Sequence, residues 1–177
     1  ELGISYCEIQ SLNNYAFPNS LTELNVYHNY LTSIDSLPPK LQSLNCSLNK
    51  IEQIVNIPQS LHNLSISGNK LSELIINETN IGSLNCCSNR LKKIHTSPKT
   101  NIIVCNDNNI TEMILGNTFC KIEYQDVLYK YKNLVIMPIE IIYNLQRQYN
   151  EKSHKLHSLS DEIIETLMAN NLYSVDI

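Results

Sequence analysis

The chain of 177 residues carries 13 Lys and Arg against 17 Asp and Glu, a formal charge of −4 at pH 7. That acidic balance argues against nucleic acid as the main partner, because phosphate binding needs a basic stripe. No run of about 18 apolar residues occurs and no signal-peptide pattern opens the chain, so neither a membrane span nor a leader is expected.

Leu2, Ile4, Cys7, Ile9 and Leu12 open a partial unit whose pattern then returns in full. Leu21, Leu41, Leu61 and Ile81 stand twenty apart; behind them follow Leu24, Leu44, Leu64 and Leu84, then Val26, Cys46, Ile66 and Cys86. Asn29, Asn49, Asn69 and Asn89 come next, and each unit closes on Leu31, Ile51, Leu71 or Leu91 and on Ile34, Ile54, Leu74 or Ile94. Ile103, Cys105, Asn108, Ile110 and Met113 fit another unit if the segment before them is one residue shorter, and Ile122 with Tyr124 leaves a strand-like remnant.

The period has physical content. Apolar residues that alternate in L-x-L suit a short strand with one face buried. A turn asparagine behind it can bond backbone groups that a tight coil leaves unpaired. A single coil cannot bury its own apolar face, so coils must stack into a continuous core. Twenty residues leave no room for a full convex helix, and 35–40 and 55–60, rich in proline, should be extended or single-turn.

Read as L-x-x-L-x-L-x-x-N-x-L-x-x-L, the template resembles the leucine-rich-repeat family over roughly residues 2–125. The lead-ins Pro18-Asn19-Ser20-Leu21 and Pro58-Gln59-Ser60-Leu61 resemble its short repeats from bacterial effectors, amoebae and large DNA viruses. The AT-rich codons of Asn, Ile, Lys and Tyr point the same way, to a low-GC genome. The resemblance implies an α/β-type leucine-rich-repeat solenoid with a short parallel β-sheet on the concave face, extended convex segments and an α-helical C-terminal cap. Residues 1–125 would form about six repeats, the first and last degenerate, and residues 126–177 the cap. In the family cysteine is a known alternative at the asparagine position, which would place Cys7 there.

Residues between the buried ones should point across the concave sheet: Glu23, Asn25, Tyr27 and His28, then Ser43, Asn45, Ser47 and Leu48. Asn63, Ser65, Ser67, Ser83, Asn85, Cys87 and Ser88 continue the face, and Ile102, Val104, Asn106 and Asp107 end it. It is polar, nearly uncharged and short in side chain. The candidate partner-binding residues are Glu23, Asn25, Tyr27, His28, Asn45, Leu48, Asn85 and Asp107, with Tyr27, His28 and Leu48 as anchors. A solubilising ladder of Asn and Ser is the plainer reading of the middle repeats.

Beyond Asn117 the periodicity fades. Pro138 suits a first helical turn, with Ile139, Ile142, Leu145 and Tyr149 at helical spacing over roughly 138–153. A second helix is expected from Ser160 as N-cap, with Ile163, Ile164, Leu167 and Met168 as its stripe. Such helices would cap the open solenoid end, or dock a partner.

Cys46, Cys86 and Cys105 occupy inward strand positions, where a thiol acts as a small hydrophobe. Free core thiols favour a reducing compartment, the cytoplasm of a host cell or a virion if the source is viral. The sequons at Asn45, Asn63, Asn77 and Asn109 read as chance matches in a chain rich in Asn and Ser. No metal, cofactor or catalytic set is expected: His154 and His157 beside Glu151 read as solvated polar residues. Cys120 lacks the acidic neighbour of the effector ubiquitin-ligase motif. The expected function is non-catalytic protein–protein interaction on the concave face. A structural role in a larger, possibly viral, assembly and a substrate adaptor for a ubiquitin ligase are the alternatives.

Overall fold

A computed structural model of the chain describes residues 1–13, 15–117, 120–123 and 135–138, all within one compact unit. In chain order the strands are β1 (Leu2–Gly3), β2 (Glu23–Asn25), β3 (Ser33–Ile34), β4 (Ser43–Asn45), β5 (Gln53–Ile54) and β6 (Asn63–Ser65). They continue as β7 (Glu73–Ile75), β8 (Ser83–Asn85), β9 (Lys93–His95), β10 (Ile102–Val104), β11 (Glu112–Leu115), β12 (Lys121–Glu123) and β13 (Val135–Pro138). Among the described residues there is no helix.

A seven-stranded parallel sheet runs β1-β2-β4-β6-β8-β10-β12. Leu24, Leu44, Leu64 and Leu84 lie in register, so the coil advances by twenty residues. Leu84 faces Ile103 and Ile103 faces Ile122, a step one residue shorter, as the spacing of the later unit requires. The first coil is longer, since Leu2 pairs with Leu24. Proline makes the lead-in turns: Leu21, Leu41 and Leu61 donate their N–H to the carbonyls of Pro18, Pro38 and Pro58 at 3.0, 3.1 and 3.0 Å.

The core is the set of columns that the repeat lays down. Leu24, Leu44, Leu64, Leu84 and Ile103 are buried, as are Val26, Cys46, Ile66, Cys86 and Cys105. Leu31, Ile51, Leu71, Leu91 and Ile110 form the next column, and Ile34, Leu74, Ile94 and Met113 another. Burying each large aliphatic side chain contributes about 1.5–3 kcal/mol.

Asn29, Asn49, Asn69 and Asn108 are buried with it, and Asn89 is half-buried in the same row. Asn69 shows the wiring. Its Nδ2 donates to the carbonyls of Cys46, Ile66 and Ser67 at 3.1, 3.0 and 3.2 Å, and its Oδ1 accepts the N–H of Ile51 at 2.9 Å. One amide thus joins two coils, and Asn49, Asn89 and Asn108 repeat the pattern. Asn29 accepts from the N–H groups of Cys7 and Ile9, both at 3.0 Å. Cys7 therefore stands in the row by its backbone, while its exposed thiol turns to the carbonyl of Ser5.

From the second coil onward each coil also carries a second strand, which the repeat template does not announce. β7, β9, β11 and β13 form a four-stranded parallel sheet, and β3 pairs with β5. The local pattern explains it, because Glu73, Leu74, Ile75 and Ile76 alternate exposed and buried. Gly116, behind β11, packs so closely on the backbone of Thr96, Ser97 and Pro98 that no side chain fits there. Pro138 is the last residue of edge strand β13, not the start of a helix, and an edge strand tolerates a residue without an N–H. The rest of that expected helix and the helix from Ser160 lie outside the described residues, as do Tyr124, His154 and His157.

Candidate partner-binding face

The solvent face of the seven-stranded sheet brings the expected residues into two columns. Asn25 pairs in register with Asn45, Asn45 with Ser65, and Ser65 with Asn85. In each asparagine the side-chain oxygen accepts the N–H two residues on: Tyr27 to Asn25 at 3.1 Å, Ser47 to Asn45 at 3.2 Å, Cys87 to Asn85 at 3.3 Å. These bonds hold the chain as it turns from the strand toward the interior asparagine. Asn25, Asn45 and Asn85 therefore have a structural task as well as a solvent-facing amide. Glu23 is exposed at the start of β2, opposite Ser43.

The second column is set by the backbone. His28, Leu48, Gly68, Ser88 and Asp107 each precede the interior asparagine of their coil, and all lie in the left-handed region, with φ of 54, 52, 64, 50 and 54°. A coil that must reverse direction within one residue needs that conformation, which only glycine adopts without strain. His28, Leu48 and Asp107 consequently project at one rim of the sheet, all exposed. They do not touch: Asp107 stands four strands from His28, about 19 Å at the usual strand spacing. Ser88 instead donates to Asp107 at 3.2 Å.

Tyr6 belongs to this column and was not among the expected residues. It has φ 57°, is 66% exposed, and stacks on His28 with ring centroids 4.5 Å apart. Tyr27 meets it edge-on at 5.5 Å. A hydrogen bond with Tyr27 raises the Tyr6 pKa above its ordinary value of 10.0, since the bond favours the neutral phenol. The signal was present: aligned on Leu2 and Ile4, Tyr6 precedes the Cys7 position as His28 precedes Asn29.

One other expectation shifts. Ser47 is 4% exposed and bonds Ser65 through the two hydroxyls at 2.9 Å, so it is sheet interior rather than contact surface. Cys46, Cys86 and Cys105 are buried as expected, Cys87 and Cys120 are half-buried, and no disulfide joins any of the six cysteines. Burial pushes the Cys46 and Cys86 thiols up, and the Cys105 thiol up to about 12 with help from Cys87 and Cys120. On the second sheet His95 Nε2 meets Glu112 at 2.6 Å and Lys93 lies 3.5 Å from the same carboxylate, a cluster that the repeat spacing does not reveal. Among the described residues no group of three His, Cys, Asp or Glu could hold a metal ion.

Stacked parallel coils of about twenty residues, apolar columns at template positions and an interior asparagine row give this chain a parallel β-solenoid fold, consistent with the leucine-rich-repeat architecture. No family model matches the sequence, and no curated protein does. Solved structures similar to it include YopM, a leucine-rich effector protein from Yersinia pestis, at 19% identity and TM-score 0.48, over 68% of this chain and 46% of that one. YopM from Yersinia enterocolitica WA-314 stands at 18% identity and TM-score 0.41, over 73% of this chain and 40% of that one. The functional domain of InlJ from Listeria monocytogenes, which includes a cysteine ladder, stands at 20% and 0.41, over 68% of this chain and 39% of that one. The chain spans less than half the length of each of these proteins.

Proposed function

We propose that the protein is a non-catalytic binding module that holds another protein, or a segment of one, on the solvent face of the seven-stranded sheet. The observation that carries this reading is the left-handed rim column. A non-glycine residue in that region costs about 1–3 kcal/mol, and Gly68 shows that the coil accepts glycine there. Tyr6, His28 and Leu48 nevertheless hold large exposed side chains at those positions, 66% and 42% exposed for Tyr6 and Leu48. Exposed aromatic and apolar groups held on a rigid scaffold are the chemistry of interface anchors. We further propose a reducing compartment, the cytoplasm of a host cell or a virion if the source is viral, a reading that the unpaired core thiols support.

Affinity capture from the native source tests it. The variant Tyr27→Ala/His28→Ala/Leu48→Ser is compared with wild type and with Val55→Lys/Ile75→Lys, which charges exposed positions beside and on the second sheet. Loss of the captured partner with the first variant alone is expected, because truncating an anchor typically costs about 2 kcal/mol or more. Loss with the second alone would move the interface to the second sheet and overturn the reading.

A further inference from the structure

We infer that the segment held on this face is an extended, proline-rich stretch in the polyproline II conformation, lying across the strands from β8 to β2 with a proline ring on the Tyr27–Tyr6 pair at the β2 end. The inference rests on the binding reading above and names the chemistry of the occupant.

Asn45 and Asn85 set the recognition, and Asn25 repeats their wiring one strand nearer the Tyr27–Tyr6 pair. Because the oxygens of Asn25, Asn45 and Asn85 each accept a backbone N–H, the orientation of each amide is fixed. Each NH2 group is then a donor without a partner among the described residues. Asn25 is exposed and the other two are half-buried. The face therefore offers preset donors, and its matching ligand offers acceptors in a row.

Proline fits that demand better than other residues. It carries a backbone carbonyl and no N–H, so a proline-rich chain brings acceptors without donors that would need partners of their own. A glycan or an ordinary β-strand would bring hydroxyl or amide hydrogens to the same surface. The spacing agrees. Asn45 and Asn85 stand two strands apart in register, about 9.6 Å at the usual strand separation. A polyproline II helix rises about 3.1 Å per residue with three residues per turn, about 9.3 Å per turn. Carbonyls one turn apart thus meet the two amides in succession. At the end of the row, Tyr27 and the exposed Tyr6 pack edge to face beside His28, presenting ring faces of the kind on which proline rings stack. The near absence of charge on the central strands suits an uncharged backbone.

Fluorescence anisotropy with a fluorescein-labelled decaproline peptide tests the inference, with a Gly-Ser peptide of equal length and the oligosaccharide cellohexaose as comparison probes. Saturable binding of decaproline alone is expected. Asn45→Asp and Asn85→Asp keep the oxygen that accepts the Ser47 or Cys87 N–H and replace the donor. Each should weaken binding about tenfold while the unfolding midpoint stays unchanged. Tyr27→Ala should weaken it at least as much. Absence of decaproline binding, binding that both Asp variants leave intact, or preference for the Gly-Ser peptide or the oligosaccharide overturns the inference. If decaproline fails while partner capture still depends on Tyr27, His28 and Leu48, the proline assignment falls and the binding reading stands. If both fail, both fall.

Discussion

The side chain of Leu48 lies over Gly68 in the next coil, in the space that a Cβ at residue 68 would need. Both residues are in the left-handed region, so one position supplies the side chain and its neighbour supplies the room. Gly68→Ala therefore meets strained backbone as its main penalty and, as a smaller one, a clash with one methyl group at the end of the exposed Leu48 side chain. It should destabilise the protein by about 2 kcal/mol in urea unfolding. Adding Leu48→Ala should return the steric part and leave the backbone part, a coupling that a double-mutant cycle measures. Equal costs with and without Leu48 would show that the two residues do not share this space.

Asn69→Ala removes an amide that joins two coils through four hydrogen bonds. The Ile51 N–H and the carbonyl of Cys46 lose a buried partner, at a cost on the order of 1–3 kcal/mol. Unfolding by heat or urea checks this, and a loss near zero would remove the interior asparagines from the account of stability.

The six thiols should fall into classes. Cys7 is exposed and should react with an aromatic disulfide reagent in the native protein. Cys46, Cys86 and Cys105 are buried, and burial suppresses the thiolate that attacks the reagent. They should react only after denaturation, with Cys87 and Cys120 between. A Cys7→Ser variant that keeps the fast native phase would contradict the assignment. Fewer than six thiols in the unreduced, denatured chain would reveal a disulfide.

Acid should erase the contribution of the Glu112 cluster. Burial works to raise the Glu112 pKa, but the hydrogen bond to His95 and the charge of Lys93 outweigh it, leaving it below the ordinary 4.5. A carboxylate with a depressed folded pKa adds stability above its unfolded pKa, and the addition is lost as pH falls through the folded value. Glu112→Gln should be less stable than wild type near neutral pH by about 0.5 kcal/mol, a figure suited to a partly exposed pair. The gap should close as pH falls below 4.5 and through the folded value. A gap that persists in acid would assign the effect to packing.

The amino-acid sequence by itself determined the coil. Residues recurring twenty apart must all face inward, since only stacking buries them, and this places Leu24, Val26, Asn29 and Leu31 and their successors before any coordinate is known. The one-residue contraction before Ile103 was legible for the same reason, as a slip would turn a whole strand inside out. What the tertiary structure decided is how the residues between the buried ones stand. The left-handed conformation shared by Tyr6, His28, Leu48 and Gly68 follows from closing a coil over the one beneath it, which no local propensity reports. The burial of Ser47 depends on Ser65 of the next coil, and the exposed Cys7 thiol belongs to the coil at the β1 edge of the sheet. Periodicity records which way a side chain points along its own strand. What it meets across the stack is set by register and by backbone closure, and these exist only once the coils have been laid one on another.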